Sequence, residues 1–230
     1  MKSLKGFATI AGLAMAAFTF APQASATAEL KISDGTNTVD ILDGAAPGVC
    51  VGAVTGCSDA NGSANQVTFV GTIGTWTLNV STGASHGAAA GTDLDLNSTN
   101  STNAASTLTI SFSDDGFTTP AAHTFTVGGT IQGPGTLTFT EYAAATKFGT
   151  TNPIGSPLVF SSTPFAGSTS SGLVAGAALT EVVTLAFTGA GSASFDGALT
   201  PVPEPTSVAL FGGALLFVGS AIRRKVRRAA

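Results

Sequence analysis

The most suggestive spacing of chemically active side chains is the run DLDLN, which begins at Asp93. In an extended chain successive side chains point to opposite sides, so Asp93, Asp95 and Asn97 would share one face. Three oxygen ligands on one face could hold Ca²⁺. The run departs from an EF-hand loop, because Ser98 follows where glycine is needed and Ala104 stands at the twelfth position. The alternative is a strand with leucines inward and acids in water.

Other combinations that could support catalysis are weak. Asp114 and Asp115 are adjacent and precede Gly116, which indicates a turn after a strand. Their carboxylates would point in different directions and have no identifiable partner. His86 and His123 are isolated from each other and from the cysteines, and no serine stands in a G-x-S-x-G turn. We therefore expect no enzyme, no metal centre and no cofactor.

The elements that must position these side chains are strands. Residues 27–200 are rich in Thr, Val, Phe and Gly, and alternate apolar and polar residues in many short segments. About eight to ten such segments, each with one apolar face, favour an antiparallel β-sandwich of jelly-roll or immunoglobulin-like type. Residues 82–106 predict a long loop around one short strand, 94–96. Trp76, in the alternating run TWTLNV, is predicted to be a core residue.

Charge is distributed unevenly along the chain. Residues 27–200 contain two basic residues, Lys31 and Lys147, against twelve acidic ones, a net charge of −10. A field of this sign repels nucleic acid, so we expect no nucleic-acid partner.

The two cysteines, Cys50 and Cys57, are separated by six residues in a Gly-rich stretch. In an exported chain this spacing favours a disulfide-closed loop. The loop-entropy description gives roughly 2–3 kcal/mol of stabilisation for so short a loop.

The start of the chain predicts export. Lys2 and Lys5 precede the apolar segment 7–22, and Ala24-Ser25-Ala26 offers small side chains at the two positions that a signal peptidase reads. Residues 1–26 are therefore predicted to be a signal peptide with a helical apolar part, cleaved after Ala26. This leaves a secreted domain over 27–200.

The tail 201–230 has three parts in a fixed order. Pro203, Glu204 and Pro205 come first, and the uncharged segment 206–222 follows. As a helix that segment would be roughly 25 Å long, the lower limit for spanning a bilayer. The basic residues that end the tail are Arg223, Arg224, Lys225, Arg227 and Arg228. By the positive-inside rule they stay cytoplasmic, so the acidic domain lies outside.

This tail resembles the PEP-CTERM protein-sorting signal: the Pro-Glu-Pro triplet, a short apolar helix and an Arg-rich end, paired with a signal peptide. The resemblance covers about thirty residues and implies recognition by an exosortase, an integral-membrane enzyme of Gram-negative bacteria, with cleavage near the triplet. The protein would be located transiently in the inner membrane before it reaches the cell surface or extracellular matrix. A permanent single-pass anchor is the alternative.

The sequence thus predicts an exported, matrix-associated or structural protein whose export partners are signal peptidase and exosortase. Extracellular polysaccharide is a candidate partner. A displayed module that binds calcium or carbohydrate is the alternative function.

Overall fold

The computed structural model describes residues 28–45, 47–85, 94–117 and 120–202. Within these ranges all regular elements are strands, and no helix that could span a membrane is found. The predicted signal helix and the predicted transmembrane helix 206–222 lie outside them.

The strands are β1 (Glu29–Ser33), β2 (Thr38–Leu42), β3 (Val49–Val51), β4 (Val54–Thr55), β5 (Gln66–Ile73), β6 (Trp76–Ser85), β7 (Leu94–Thr102), β8 (Ser106–Asp115), β9 (Ala121–Gln132), β10 (Gly135–Ala144), β11 (Asn152–Phe160), β12 (Phe165–Val174), β13 (Ala178–Phe187) and β14 (Gly191–Val202). The last strand thus runs two residues past the predicted domain end at Thr200.

Alternation explains why these segments are strands. In β10, Leu137 and Phe139 are buried, while Thr136 and Thr138, which alternate with them, face outward. Threonine suits the outer positions because its branched side chain packs well on a pleated surface. Strands with one apolar face must bury it, and two packed sheets do so.

The two sheets have seven strands each. Sheet 1 has the order β11-β10-β13-β8-β1-β2-β3, and sheet 2 has the order β12-β9-β14-β7-β6-β5-β4. Within each sheet, neighbouring strands pair antiparallel. The predicted antiparallel β-sandwich is therefore confirmed.

The last eight strands are wound as a jelly roll. β7 pairs with β14, β8 with β13, β9 with β12 and β10 with β11, which is one long hairpin folded into two four-stranded sheets. β1–β3 extend sheet 1 beyond β8, and β4–β6 extend sheet 2 beyond β7.

The inner faces of both sheets share one hydrophobic core. Trp76 is fully buried in it, as predicted, and its indole Nε1 donates a hydrogen bond to Ser106 Oγ at 2.9 Å. Its ring meets that of Phe187 edge-on, with centroids 5.8 Å apart. The bound indole N–H allows this large side chain to be buried without leaving a donor unsatisfied.

The two open sides of the sandwich are closed differently. On one side, β3 and β4 are the edge strands of the two sheets, and a disulfide joins Cys50 to Cys57, as predicted. On the other side lie β11 and β12, where the rings of Phe160 and Phe165 stack with centroids 4.5 Å apart. The disulfide joins β3 of sheet 1 to the segment just after β4, and the aromatic stack joins β11 of sheet 1 to β12 of sheet 2.

One expectation about the strands is wrong. The segment 94–102 is one long strand, β7, where the sequence predicted a short strand within a loop. Its inward positions after Leu96 are polar: Ser98, Asn100 and Thr102 are all buried. Ser98 Oγ donates to Asn100 Oδ1 at 2.8 Å, and this bond replaces the apolar contacts that would have made the strand recognisable.

Candidate functional site

The outer face of β7 presents the acidic run with which the sequence analysis began. Leu94 and Leu96 are buried, while Asp95 and Asn97 are half-buried on the opposite side. The alternation predicted for an extended chain is therefore present. Asp93 lies outside the described residues.

The structure adds neighbours that sequence spacing could not supply. Asp196 on β14 lies directly opposite Asn97, and Gly128 on β9 lies directly opposite Asp196. Three outward residues from each of these three adjacent strands form a grid, which we call the sheet 2 polar face. Its members are Asp95, Asn97, Thr99, Ser194, Asp196, Ala198, Thr126, Gly128 and Thr130.

The polar face contains two shallow depressions. One, of about 380 Å³, extends from Asn97 and Thr99 to Thr130, and the other, of about 180 Å³, lies by Asp95 and Thr126. Asp196 and Gly128 border both, so they form a continuous trough along the strand direction. From Asp95 to Thr99 its length is roughly 13 Å at the usual rise per strand residue.

Two successive glycines on β9 differ in the space that surrounds them. A Cβ on Gly129 would collide with the Ser194 carbonyl oxygen, so packing excludes a side chain there. A Cβ on Gly128 would meet only the Phe165 carbonyl oxygen, at 3.6 Å, which is an ordinary contact. The fold therefore leaves room for a side chain at Gly128, in the floor of the trough.

The arrangement does not assemble a metal centre from the described residues. Within them no group of three His, Cys, Asp or Glu side chains is close enough to hold an ion. Asp95 and Asn97 do share a face, as the calcium hypothesis requires, and that hypothesis stays a prediction.

The adjacent acids at the end of β8 point to opposite sides, as expected. Asp114 is fully buried, and the Asp115 N–H donates to its Oδ1 at 2.8 Å. Burial raises the pKa of Asp114, although a hydrogen bond from Ser85 acts in the opposite direction. The strand continues through both acids, and the turn begins only at Gly116, whose φ is 93°.

Two buried acids were missed by the sequence analysis. Glu141 and Glu181 lie directly opposite each other on β10 and β13, on the inner face of sheet 1, and each is 1% exposed. Neither carboxyl oxygen of Glu141 has a hydrogen-bond partner, and a backbone hydrogen bond from Leu199 only partly offsets the rise in the pKa of Glu181. Burial, followed by the charge of Glu181, raises the pKa of Glu141 well above its usual value.

Their positions could have been found by counting. Glu141 has the same parity as Phe139, and Glu181 has the same parity as Val183, so both belong to the inward series of their strands.

The two lysines of the described residues meet on the outer side of sheet 1. Lys147 Nζ lies 2.6 Å from Glu29 Oε2, and Lys31 Nζ lies 3.2 Å from Oε1. Lys31 also lies 3.4 Å from Asp40 and 4.0 Å from the centroid of the Phe148 ring. Burial alone would raise the pKa of Glu29, but the two lysines outweigh it and lower the pKa.

The remaining predicted site residues divide between core and undescribed segments. His123 is buried on β9. The signal cleavage residue Ala26, the triplet Pro203, Glu204 and Pro205, and the basic end 223–228 all lie outside the described residues, as does His86.

Residues 201–225 match the PEP-CTERM protein-sorting motif. The recognition predicted from the tail is therefore confirmed, and it implies export and display at the cell surface. No curated protein matches the chain. The motif covers the tail only, so the family of the sandwich domain stays unassigned.

The sandwich has distant likenesses among solved structures. TmCBM61 in complex with beta-1,4-galactotriose is 7% identical with a TM-score of 0.38, covering 55% of this chain and 88% of its own. The family 11 carbohydrate-binding module of the Clostridium thermocellum cellulosomal cellulase Lic26A-Cel5E is 9% identical with a TM-score of 0.31, covering 67% and 98%. The enzymatically active domain of bacteriophage CBA120 tailspike protein 4 is 10% identical with a TM-score of 0.36, covering 57% and 20%. Likenesses this distant carry no argument about function.

Proposed function

We propose that this chain, which carries a PEP-CTERM sorting motif, is a non-enzymatic structural protein of the cell surface or extracellular matrix. The observation that carries the proposal is the motif match over residues 201–225. In the proposed route a signal peptidase cleaves after Ala26, and the tail then holds the folded domain at the inner membrane. An exosortase finally cleaves near Pro203-Glu204-Pro205.

The structure of the domain is consistent with a matrix role. Its described residues form one closed sandwich with a single core, which suits a robust displayed domain. The acids that could catalyse are separated: Glu141 and Glu181 are sealed in the interior, while Asp95 and Asp196 lie on the outer face.

The test of sorting uses the full chain in its native host. Glu204→Ala combined with Pro205→Ala should leave an uncleaved form in the inner membrane, because the triplet presents the cleavage site. Intact mass of the protein recovered from the surface and from the membrane measures both termini. A variant processed and displayed like the wild type would contradict the proposal.

A matched control changes the tail without touching the triplet. Ser207→Ala lies two residues after Pro205 and should leave processing unchanged. If both variants stopped processing, the tail would be sensitive to any change and the triplet would have no special role.

A second candidate is a displayed binding module, which the sheet 2 polar face favours because it is an open trough lined with hydroxyl, amide and carboxylate groups. For calcium, binding to Asp95 and Asn97 predicts heat on titration with millimolar Ca²⁺ and a higher unfolding midpoint. A titration with neither effect would exclude it.

A further inference from the structure

We propose that a second copy of this chain pairs with β12, the edge strand of sheet 2, through backbone hydrogen bonds. The two β12 strands run antiparallel about a two-fold axis, so that sheet 2 of one copy continues into sheet 2 of the other. The inference deepens the proposed structural role and rests on it, because copies of the domain must lie close together in a matrix for this contact to form.

The backbone of β12 is open to a partner along one side. The strand has ten residues and pairs with β9, and among the described strands none pairs with its other edge. The pairing with β9 is regular from Phe165 to Ser170, and a bulge follows. Ala166, Ser168 and Ser170 are exposed along this regular part. An edge strand of this kind presents N–H and C=O groups that another strand can bind.

The other edge strands are protected against such pairing. Sheets commonly protect their edges with short strands, prolines, charges or bulges. Pro153 and Pro157 lie on β11 and lack a backbone N–H. On the opposite side, β3 and β4 have only three and two residues, and Ala60 beyond β4 donates its N–H to the Thr68 carbonyl oxygen of β5 at 2.8 Å. Of these devices β12 has only the bulge after Ser170, so it is the edge most open to pairing.

The distribution of charge indicates a second copy as the partner. Residues 27–200 carry a net charge of −10, so two copies repel each other over most of their surface. The stretch from Phe148 to Thr180, which contains both β11 and β12, has no acidic or basic residue. On sheet 2 the acid in the strand nearest to β12 is Asp196 on β14, two strands and roughly 10 Å away. This side is therefore where two acidic domains can approach with the least repulsion.

The experiment measures self-association of the chain as recovered from its native host, by sedimentation velocity across a wide range of concentration. We expect a monomer that converts to a dimer and no further. Raising the salt concentration from about 50 to about 500 mM should strengthen the dimer, because salt screens the repulsion between acidic domains. A chain that stays monomeric overturns the proposal, and so does unlimited growth into polymers, which requires a contact without two-fold symmetry.

One variant places a charge on the pairing edge. Ser168→Lys should weaken the dimer by about tenfold or more, because pairing brings two ammonium groups close together. The same change makes the net charge of the chain less negative, which alone would favour association, so a loss cannot come from net charge. Its urea unfolding midpoint should match the wild type, since Ser168 is exposed.

A matched control adds the same charge elsewhere. Thr136→Lys lies at an exposed position of β10, on the outer face of sheet 1. It should associate at least as strongly as the wild type. If Thr136→Lys weakened the dimer as much as Ser168→Lys, the contact would not be at β12 and the proposal would be wrong.

Hydrogen exchange locates the contact independently of any substitution. The amides of residues 165–170 should exchange more slowly in the dimer than in the monomer, because new backbone hydrogen bonds form there. The amides of β3 and β4 should exchange at the same rate in both. Protection that appears elsewhere and not in β12 would overturn the proposal.

Failure of this inference and failure of the proposed function give different results. A chain that is sorted and displayed normally but stays monomeric overturns the β12 contact and leaves the sorting proposal intact. A chain that dimerises through β12 but is not processed at the triplet contradicts only the sorting proposal.

Discussion

The molecule holds its glutamates in two opposite ways. On the outer side of sheet 1, Glu29 lies within 3.2 Å of two lysine ammonium groups, and its pKa is lowered. In the interior, Glu141 and Glu181 face each other out of contact with water, and both pKa values are raised. Sheet 1 carries all three side chains.

The comparison shows that the groups around an acidic side chain, more than its position in a strand, decide how much its burial lowers stability. Glu29 is only partly removed from water, and the lysines offset its desolvation. The interior pair is fully removed from water, so it favours the protonated form, in which each carboxyl can also donate a hydrogen bond. The interior pair therefore costs stability at neutral pH, and Glu29 contributes to it.

The largest expected effect comes from removing the interior pair. Replacing both residues, Glu141→Met with Glu181→Met, should raise the free energy of unfolding at pH 7 by about 1–4 kcal/mol, the range known for buried charged groups replaced by apolar ones of similar volume. Urea unfolding measures it. A gain that was the same at pH 4 and pH 8 would show that the charge of the pair is not the cause.

The wild-type protein should lose stability as the pH rises. Both interior pKa values lie above the ordinary value of 4.5, so the folded state keeps protons that the unfolded chain releases from about that pH upward. The contribution of the pair is thus fully present below pH 4.5 and lost progressively above it. Urea midpoints between pH 5 and 8 should decline, and the decline should flatten in the double methionine variant.

Removing Glu29, which is paired with the two lysines, should change the free energy of unfolding in the opposite direction and by a smaller amount. Glu29→Gln should lower the free energy of unfolding at pH 7 by about 1 kcal/mol, since an ion pair that is partly open to water contributes little more. Because the pKa of Glu29 is lowered, its contribution is present above pH 4.5 and lost as the pH falls through the folded value. A variant as stable as the wild type at pH 7 would remove the contrast with the interior pair.

The smallest effect is expected at Asp40, the second acid beside Lys31. Burial and its hydrogen bond with Glu29 raise the pKa of Asp40, although Lys31 lies 3.4 Å away. Because Glu29 and Lys31 act on the charge of Asp40 in opposite directions, Asp40→Asn should change stability by less than about 0.5 kcal/mol. A loss as large as that of Glu29→Gln would mean that the two acids bind the lysine equally.

Much of the fold follows from local pattern, and its failures have one physical cause. Alternation predicted the strands around Leu108, Phe125, Phe139 and Leu185, because each buries an apolar face. It failed at β7, where a buried hydrogen bond between Ser98 and Asn100 takes the place of apolar packing. It also missed Glu141 and Glu181, because their positions in the alternation predict burial, whereas their charge predicts exposure to water.

The candidate site shows the same division. Sequence spacing placed Asp95 and Asn97 on one face, but Asp196 lies about one hundred residues further along the chain and joins them only through the pairing of β14 with β7. The room for a side chain at Gly128 is likewise invisible in the sequence, since it depends on which atoms of other strands lie near that position.

By itself the sequence determined the β-sandwich, the Cys50–Cys57 disulfide and the sorting tail, because each depends on residues close together in the chain: an alternation of two, a loop of six and a motif of about thirty. Tertiary structure alone decided the jelly-roll winding, the sealed pair Glu141–Glu181 and the polar face around Asp196. These depend on which strands become neighbours, and hydrogen bonds of the backbone join strands without regard to their distance in sequence.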